Sequence, residues 1–339
     1  MSKSYTIRDV AKRAGVGVGT VSRVLNDSPA VSDHTREKVL AAIDALDFRP
    51  SPVARRLSLG GRSLAIGIVV PFFTRPAFVG RLQGIEAAIA HSEYDLILYN
   101  VETPEQRDNL FRRIPHERRV DGLIIISLRP SDEAVDYFKR FGIPVVLLDA
   151  MHPDLVSISI DDVDGGYQAT EYLIKLGHRR IAYISDDLDS PFGFVASAER
   201  FDGYQQALKK HKVPFRKEYH QQGEHGRFRA HHLAQVLMQL DESPTAIFAA
   251  SDTQALGAIE AVRQLGFRVP EDVSVVGYDD IEVATYMGLT TVNQSLYQTG
   301  VEGVNALLKL IEENTSIDSY KLPVSMVVRN TTASPPGRA

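Results

Sequence analysis

No cysteine occurs anywhere in the 339 residues, so disulfides and thiolate metal sites are excluded outright. No apolar run approaches the roughly 18 residues that a membrane helix needs, and Met1–Tyr5 lacks the pattern of a secretion signal. With 44% apolar and 24% charged residues, the expectation is a cytoplasmic globular protein with no membrane partner. Catalytic signatures are missing too. Ten histidines are present, yet none stands in H-E-x-x-H or a related metal spacing, and no G-x-x-x-x-G-K-S/T loop occurs. His91, His116 and His220 read as solvated. The doublets Asp161-Asp162, Asp186-Asp187 and Asp279-Asp280 are adjacent residues that point apart, unlike the facing carboxylates of a glycosidase. V-G-V-G-T at 16–20 imitates a nucleotide loop but follows no strand. No enzyme, metal or cofactor is expected.

What the chain does have is an uneven charge. Its net charge is −5, but residues 1–62 hold eleven Lys and Arg against six Asp and Glu. A head of +5 on a body of −10 puts any affinity for a polyanion at the N-terminus.

Within that head, Thr6 to Asn26 reads as two short helices folded across a tight turn. Thr6 and Asp9 form the S/T-x-x-D/E start signal. Ile7, Val10, Ala11 and Ala14 share one face, with Ala11 small where a second helix approaches. Gly15 supplies a left-handed turn and Val21 locks the pair. These positions predict a helix-turn-helix, whose second helix enters the DNA major groove; a plain αα-hairpin is the competing reading. Helix two, Val18 to Leu25, turns Val18, Gly19, Ser22, Arg23 and Asn26 outward. Val18 can touch a thymine methyl, Gly19 permits close approach, and Arg23 is the candidate for guanine. Thr20, Ser22 and Asn26 suit phosphate oxygens, and Thr6 joins the candidate DNA contacts. An ordinary solvated charge is the alternative for Arg23. A third helix, capped by Ser32, offers Val39, Leu40, Ala42, Ile43 and Leu46 as a covering face, with Phe48 closing the core. Ser51-Pro52 can start a two-turn helix that Gly60-Gly61 ends. It is too short to persist alone, so a basic linker is the other reading.

From Leu64 apolar strands alternate with amphipathic helices. L-A-I-G-I-V-V, D-L-I-L-Y, G-L-I-I-I, P-V-V-L-L, S-I-S-I, I-A-Y-I, A-I-F-A-A and V-S-V-V-G-Y are the strands. Helices are expected over 78–92, 104–114, 133–141, 164–176, 200–210, 230–240, 253–265 and 301–312, before an extended V-S-M-V-V-R. This is an α/β pattern of parallel sheets covered on both faces. It is long for one sheet, so two lobes with a cleft at the strands' carboxyl ends are expected.

Several motifs stand in a telling order. They are T-V-S-R-V-L-N at 20–26, S-x-x-T-R-E-K-V at 32–39, P-x-x-V-A-R-x-L at 50–57 and L-G-H-R-R-I-A at 176–182. S-x-x-R-x-x-G-Y at 197–204, S-D-x-x-A-L-G at 251–257, V-P-E-D-V-S-V-V-G-Y-D-D at 269–280 and L-T-T-V-x-Q at 289–294 follow. Over essentially its whole length the chain resembles the lactose-repressor (LacI/GalR) family of bacterial transcription regulators. The resemblance implies an all-α helix-turn-helix headpiece (1–50), a hinge (51–62) and a two-lobed periplasmic-binding-protein-like body (63–339) built on two doubly wound parallel sheets. Lobe 1 would take about 63–161 and 294–321, lobe 2 about 162–293 and 322–339. It further implies a homodimer on a palindromic operator, with paired hinge helices in the minor groove. Leu57 would be the wedge, Val53 and Ala54 would pack beside it, and Arg55 and Arg56 would contact phosphates or the narrow groove. Val18 and Gly19 match the specificity positions.

For the cleft, the resemblance makes Arg200 a fork onto ligand hydroxyls or a carboxylate and Asp279 an acceptor of sugar hydroxyls. Asp149 ends the strand P-V-V-L-L-D at the cleft, and Ser251 and Asp252 begin the helix after A-I-F-A-A, where Asp252 is equally a cap. Phe72, Phe73 and Phe78 can stack on a pyranose face, Arg75 can reach hydroxyls, and Phe192 is a further aromatic candidate; core packing is the alternative for each aromatic. Such a set suits an uncharged polyhydroxylated effector, hence a repressor of carbohydrate genes released by a sugar. The rivals are a purine or nucleoside co-repressor, stacked by Phe72-Phe73, and a stand-alone sugar-binding protein. Dimer contacts are expected from the 78–92 helix and from lobe 2. No heptad tail follows Val328, which favours a dimer over a tetramer.

Overall fold

Seven apolar side chains organise the N-terminal residues. Val10, Ala11, Val21, Val24, Val39, Ala42 and Phe48 are buried together, drawing α1 (Ile7–Ala14), α2 (Val18–Leu25) and α3 (Asp33–Leu46) onto one small core. The structure, a computed structural model, describes residues 5–25, 28–48, 63–90, 92–313 and 317–337. Asp9 accepts from both the amide and the hydroxyl of Thr6, at 2.8 and 2.7 Å, which holds the first turn of α1. Gly15 ends that helix at φ 67, with its amide on the Ala11 carbonyl. Ser32 precedes α3, but its hydroxyl meets Thr35 Oγ1 at 2.9 Å instead of a backbone amide. Leu40, expected in the core, is 47% exposed. The α3 stripe runs through Val39, Ala42, Ile43 and Leu46 at helical spacing, and Leu40 falls off it. Asn26, Pro50, Gly60, Gly61, His91 and the segment carrying Val53, Ala54, Arg55, Arg56 and Leu57 lie outside the described residues.

Residues up to Leu64, with Arg118–Asp121, form one compact unit, and the rest of the chain from Ala65 a second. The second holds two parallel sheets. β1 (Ala65–Pro71), β2 (Asp95–Val101), β3 (Gly122–Ile126), β4 (Val145–Leu148), β5 (Val156–Ile160) and β11 (Tyr320–Leu322) stand in the order β11-β5-β4-β3-β1-β2. β6 (Ile181–Asp186), β7 (His220–Gly223), β8 (Ala246–Ala249) and β9 (Ser274–Val276) stand in the order β7-β6-β8-β9. β10 (Thr291–Asn293) and β12 (Ser325–Val327) make a short antiparallel pair. Every residue of β1, β3, β4 and β8 is buried, as helices on both faces require. The helices of the first lobe are α4 (Pro76–Ile89), α5 (Pro104–Glu117), α6 (Asp132–Arg140) and α12 (Leu296–Glu312). The second lobe has α7 (Asp162–Leu176), α8 (Ala196–Lys210), α9 (Arg227–Met238), α10 (Asp252–Gln264) and the short α11 (Glu282–Tyr286). No helix among the described residues is long and apolar enough to cross a membrane.

In each sheet the chain steps to one side of its first strand and returns on the other. β2 and β3 flank β1, and β7 and β8 flank β6. Such reversals open a crevice beyond the carboxyl ends of the strands. Two helix pairs flank it at backbone contact. A Cβ on Gly84 or Gly300 would sit 2.0 or 2.1 Å from the carbonyl oxygen of Tyr297 or Arg81; on Gly166 or Gly203 it would sit 2.2 or 2.0 Å from that of Arg200 or Val163. These approaches fix α4 and α8, the helices that carry the two buried arginines of the cleft.

Candidate functional site

On α2, Val21 and Val24 face the small core, while Val18, Gly19 and Arg23 are exposed and Thr20 and Ser22 half-buried. Thr6 is exposed at the start of α1. Val18, Gly19 and Arg23 therefore occupy the face of α2 that packing leaves free. This is what a recognition helix needs.

The body has a cleft walled by both lobes, with about 740 Å³ of space counted to its open mouth. Arg75, Phe78, Asp149, Arg200, Ser251 and Asp279 all line it. On the first lobe, Phe72, Ser127 and Asp149 follow β1, β3 and β4 directly, each at positive φ (45, 54 and 57). Asp279, three residues after β9, has φ 121. Non-glycine residues in such conformations cost about 1–3 kcal/mol each and cluster at functional sites.

Two charge networks face each other across the cleft. In the second lobe, Arg200 donates from Nε to Asp162 Oδ1 at 2.6 Å and from Nη1 to the Ala250 carbonyl at 2.6 Å. Its guanidinium lies 3.7 Å from the centre of the Tyr278 ring and 3.9 Å from Asp279 Oδ1. In the first lobe, Arg81 Nη2 stands 3.1 Å from Asp149 Oδ2 and 2.9 Å from Gln294 Oε1. The Ser127 hydroxyl donates to the same Asp149 oxygen at 2.6 Å, and the Gln294 amide donates to Asp279. Burial pushes the Asp279 carboxyl up to about 6, against the pull of Arg200, Arg81, His225 and Gln294. Burial likewise pushes Asp162 up, opposed by Arg200, whose own pKa its acidic neighbours hold well above the usual value. At the rim, Asp186 bonds His225 Nδ1 at 3.0 Å and the Gln254 amide at 2.9 Å. Each buried arginine thus has its carboxylate. The cleft offers hydroxyl partners more than uncompensated charge.

Some expected residues sit elsewhere. Asp252 does not line the cleft. It is fully buried, accepting from the Ile281 amide at 2.9 Å and the Thr291 hydroxyl at 2.5 Å. Ser251 lines the cleft and is also the cap of α10, its hydroxyl accepting from the Gln254 backbone amide. Phe73 is 40% exposed outside the cleft lining. Phe72 and Phe192 spend their faces on protein: the rings meet edge-on at 5.5 Å, Arg75 covers Phe72 at 4.0 Å, and Phe194 stacks on Phe192. Phe194 lines the cleft from the second lobe. His220, expected solvated, stacks on Phe201 at 4.1 Å with its pKa lowered by burial.

Arg81, Ser127, Asp186, Phe194, His225 and Gln294 line the cleft without standing among the residues that the sequence points to, and Asp162 lies buried behind Arg200. Arg81 had a signal: it stands on the buried stripe Phe78, Arg81, Ile85 of α4, where a charge has no packing reason to be.

Comparison with known proteins covers both units. Residues 6–51 match the family described as bacterial regulatory proteins, lacI family, and residues 170–332 a periplasmic binding protein-like domain. An HTH-type transcriptional repressor, PurR, of Mannheimia succiniciproducens is 32% identical over 96% of this chain and 98% of its own length. The lac repressor dimer bound to operator and the anti-inducer ONPF superposes with a TM-score of 0.86 at 31% identity, covering 98% of this chain and 100% of that one. A complex of the transcriptional regulator CelR with cellobiose gives 0.71 at 32% identity, over 96% and 99%.

Proposed function

The chain belongs to the lacI family of bacterial regulatory proteins, DNA-binding transcriptional repressors, and from that premise we propose that a sugar held between its lobes controls its grip on a palindromic operator. The observation that carries the sugar reading is the matching of Arg81 and Arg200 by Asp149 and Asp162, beside an Asp279 that has an oxygen to spare for hydroxyls. A cleft whose buried arginines are already matched by carboxylates favours a polyhydroxylated, uncharged guest. A base-stacking purine is less well served, since the Phe72 face is taken by Arg75 and Phe192. The regulator acts in the cytoplasm as a homodimer whose hinge segments meet on DNA, with Leu57 as the minor-groove wedge. Residues Val18, Gly19, Thr20, Ser22, Arg23 and Asn26 contact each half-site. A sugar that prefers one arrangement of the lobes lowers operator affinity by its difference in binding energy between the two.

The test is a panel of mono- and disaccharides, nucleosides and free purines, with operator affinity followed by fluorescence anisotropy. Release by a sugar supports the reading. Release by no sugar, with hypoxanthine strengthening DNA binding, overturns it.

Two expectations follow at single residues. An added Cβ on Gly19 would meet nothing within 4 Å. Gly19→Ala should therefore leave the fold intact, stabilising the helix by up to about 1 kcal/mol, yet weaken operator binding by blocking close approach. Calorimetry and anisotropy measure both, and parent-like operator affinity refutes a DNA-apposed Gly19. For Asp279, hydroxyls that donate to it bind the ionised carboxylate. Protonation competes once the pH drops below about 6, so sugar affinity should fall by about tenfold per pH unit there. Isothermal titration between pH 7.5 and 4.5 tests this; a flat profile removes Asp279 from the ligand contacts.

A further inference from the structure

We propose that Arg81 is a positioning residue for the effector: from the first lobe it fixes the orientation of Gln294, and through Gln294 it sets the Asp279 carboxylate on the second. This rests on the reading of Asp279 as an effector contact. The three residues are buried, 2, 1 and 6% exposed. Gln294 follows β10 where the chain passes from the second lobe to α12 of the first, so the link spans the crossover.

The chemistry of an amide gives the link its direction. A glutamine presents one acceptor end and one donor end. The Arg81 guanidinium can only donate, so it holds the Gln294 oxygen, at 2.9 Å. The amide nitrogen must then face away, where it meets Asp279. A flipped amide would set NH2 against a cation and C=O against a carboxylate, two repulsive contacts in a dry site. Arg81 is itself anchored by Asp149 at 3.1 Å, and the Asp279 backbone is pinned by its amide on the Val292 carbonyl at 2.9 Å. The carboxylate is therefore the movable end. Burying Arg81 is costly, because its Nε has no hydrogen-bond partner among the described residues. A leucine would fill the α4 stripe more cheaply, so packing does not account for the arginine.

Charged groups face Asp279 from several elements. Arg200 comes from α8, Arg81 from α4 and His225 from the segment before α9, and all three favour its ionised form. Asp252 of α10 opposes it. Next to it Asp280 is held by Arg329 at 2.7 Å and Asn293 at 2.8 Å. Removing Arg81 takes away one cation and the orientation of the amide together.

The experiment is a carbon-detected titration of full-length protein labelled with ¹³C-aspartate, the Asp279 signal being identified by its loss in Asp279→Asn. The parent should titrate near 6. Arg81→Met should move the midpoint up by at least one pH unit, a tenfold change in the ionisation constant, and by less than half as much when Gln294 is already methionine. Equal shifts in both backgrounds, or none, overturn the positioning role. Should Arg81→Met fail to fold, Arg81→Gln, which removes the charge but keeps a polar side chain, takes its place in the same cycle with the same outcomes. In parallel, D-glucose, D-ribose, cellobiose and hypoxanthine are titrated into the parent and into Asp279→Asn. Parent-like binding in Asp279→Asn overturns the effector reading, and Arg81's part in ligand selection with it. Impaired binding together with equal titration shifts overturns the positioning role alone.

Discussion

Arg200→Ala is expected to yield a repressor that no effector releases from DNA, with a body markedly less stable than the parent's. The side chain is 8% exposed, bonds Asp162 and the Ala250 carbonyl, and lies on the Tyr278 ring. Its removal leaves Asp162 buried without a counter-ion. Breaking a buried pair from one side costs about 3–5 kcal/mol, moderated here because burial already favours protonation of Asp162. The DNA-reading helices keep their own core, so ligand-free operator binding should survive. Arg200→Lys, keeping charge without the fork, should fold better and respond only at higher effector concentration. Denaturant unfolding with anisotropy measures both effects. An alanine variant with parent-like stability and response would remove Arg200 from the cleft.

Gly203→Ala should be nearly as damaging, although it adds one methyl group. The new Cβ would stand 2.0 Å from the Val163 carbonyl and 2.6 Å from the Tyr167 amide nitrogen. Neither is the end of a flexible side chain, so α7 and α8 must part. Overpacking typically costs about 1–3 kcal/mol, and a backbone clash belongs at or above the upper end. Arg200 stands one turn earlier on α8, so spreading the pair also displaces its guanidinium. Effector affinity should fall together with thermal stability, in contrast to Gly19→Ala, where stability rises. A melting temperature matching the parent's would show that the two helices are not in backbone contact.

Much of this is legible in the sequence, and what is not has physical causes. Strands buried on both faces, such as G-L-I-I-I, announce themselves through unbroken apolar runs. β7, H-Q-Q-G, and β11, Y-K-L, are edge strands that are partly or largely exposed, and their polar composition carries no such signal. α8 begins at Ala196, four residues before its expected start at Arg200, because no strong cap marks the turn before it. In the cleft, residues inside sequence motifs were found, Arg200 and Asp279 among them. Residues brought in by topology were not: Ser127 and Asp186 are strand-end positions whose neighbours across the cleft come from the other lobe. Asp252 misled for the opposite reason. A carboxylate at a helix start after a strand fits a ligand contact or a clamp equally, and only its bonds to Ile281 and Thr291 decide for the clamp.

The lobes and the DNA-reading unit are proposed to share one equilibrium, and linkage makes that measurable. Operator affinity is determined with and without a saturating sugar, and sugar affinity with and without saturating operator, on the same protein in one buffer. The two ratios should be equal and in the range of about 5–150-fold. A sugar that binds the cleft tightly while operator affinity stays unchanged would contradict the switch.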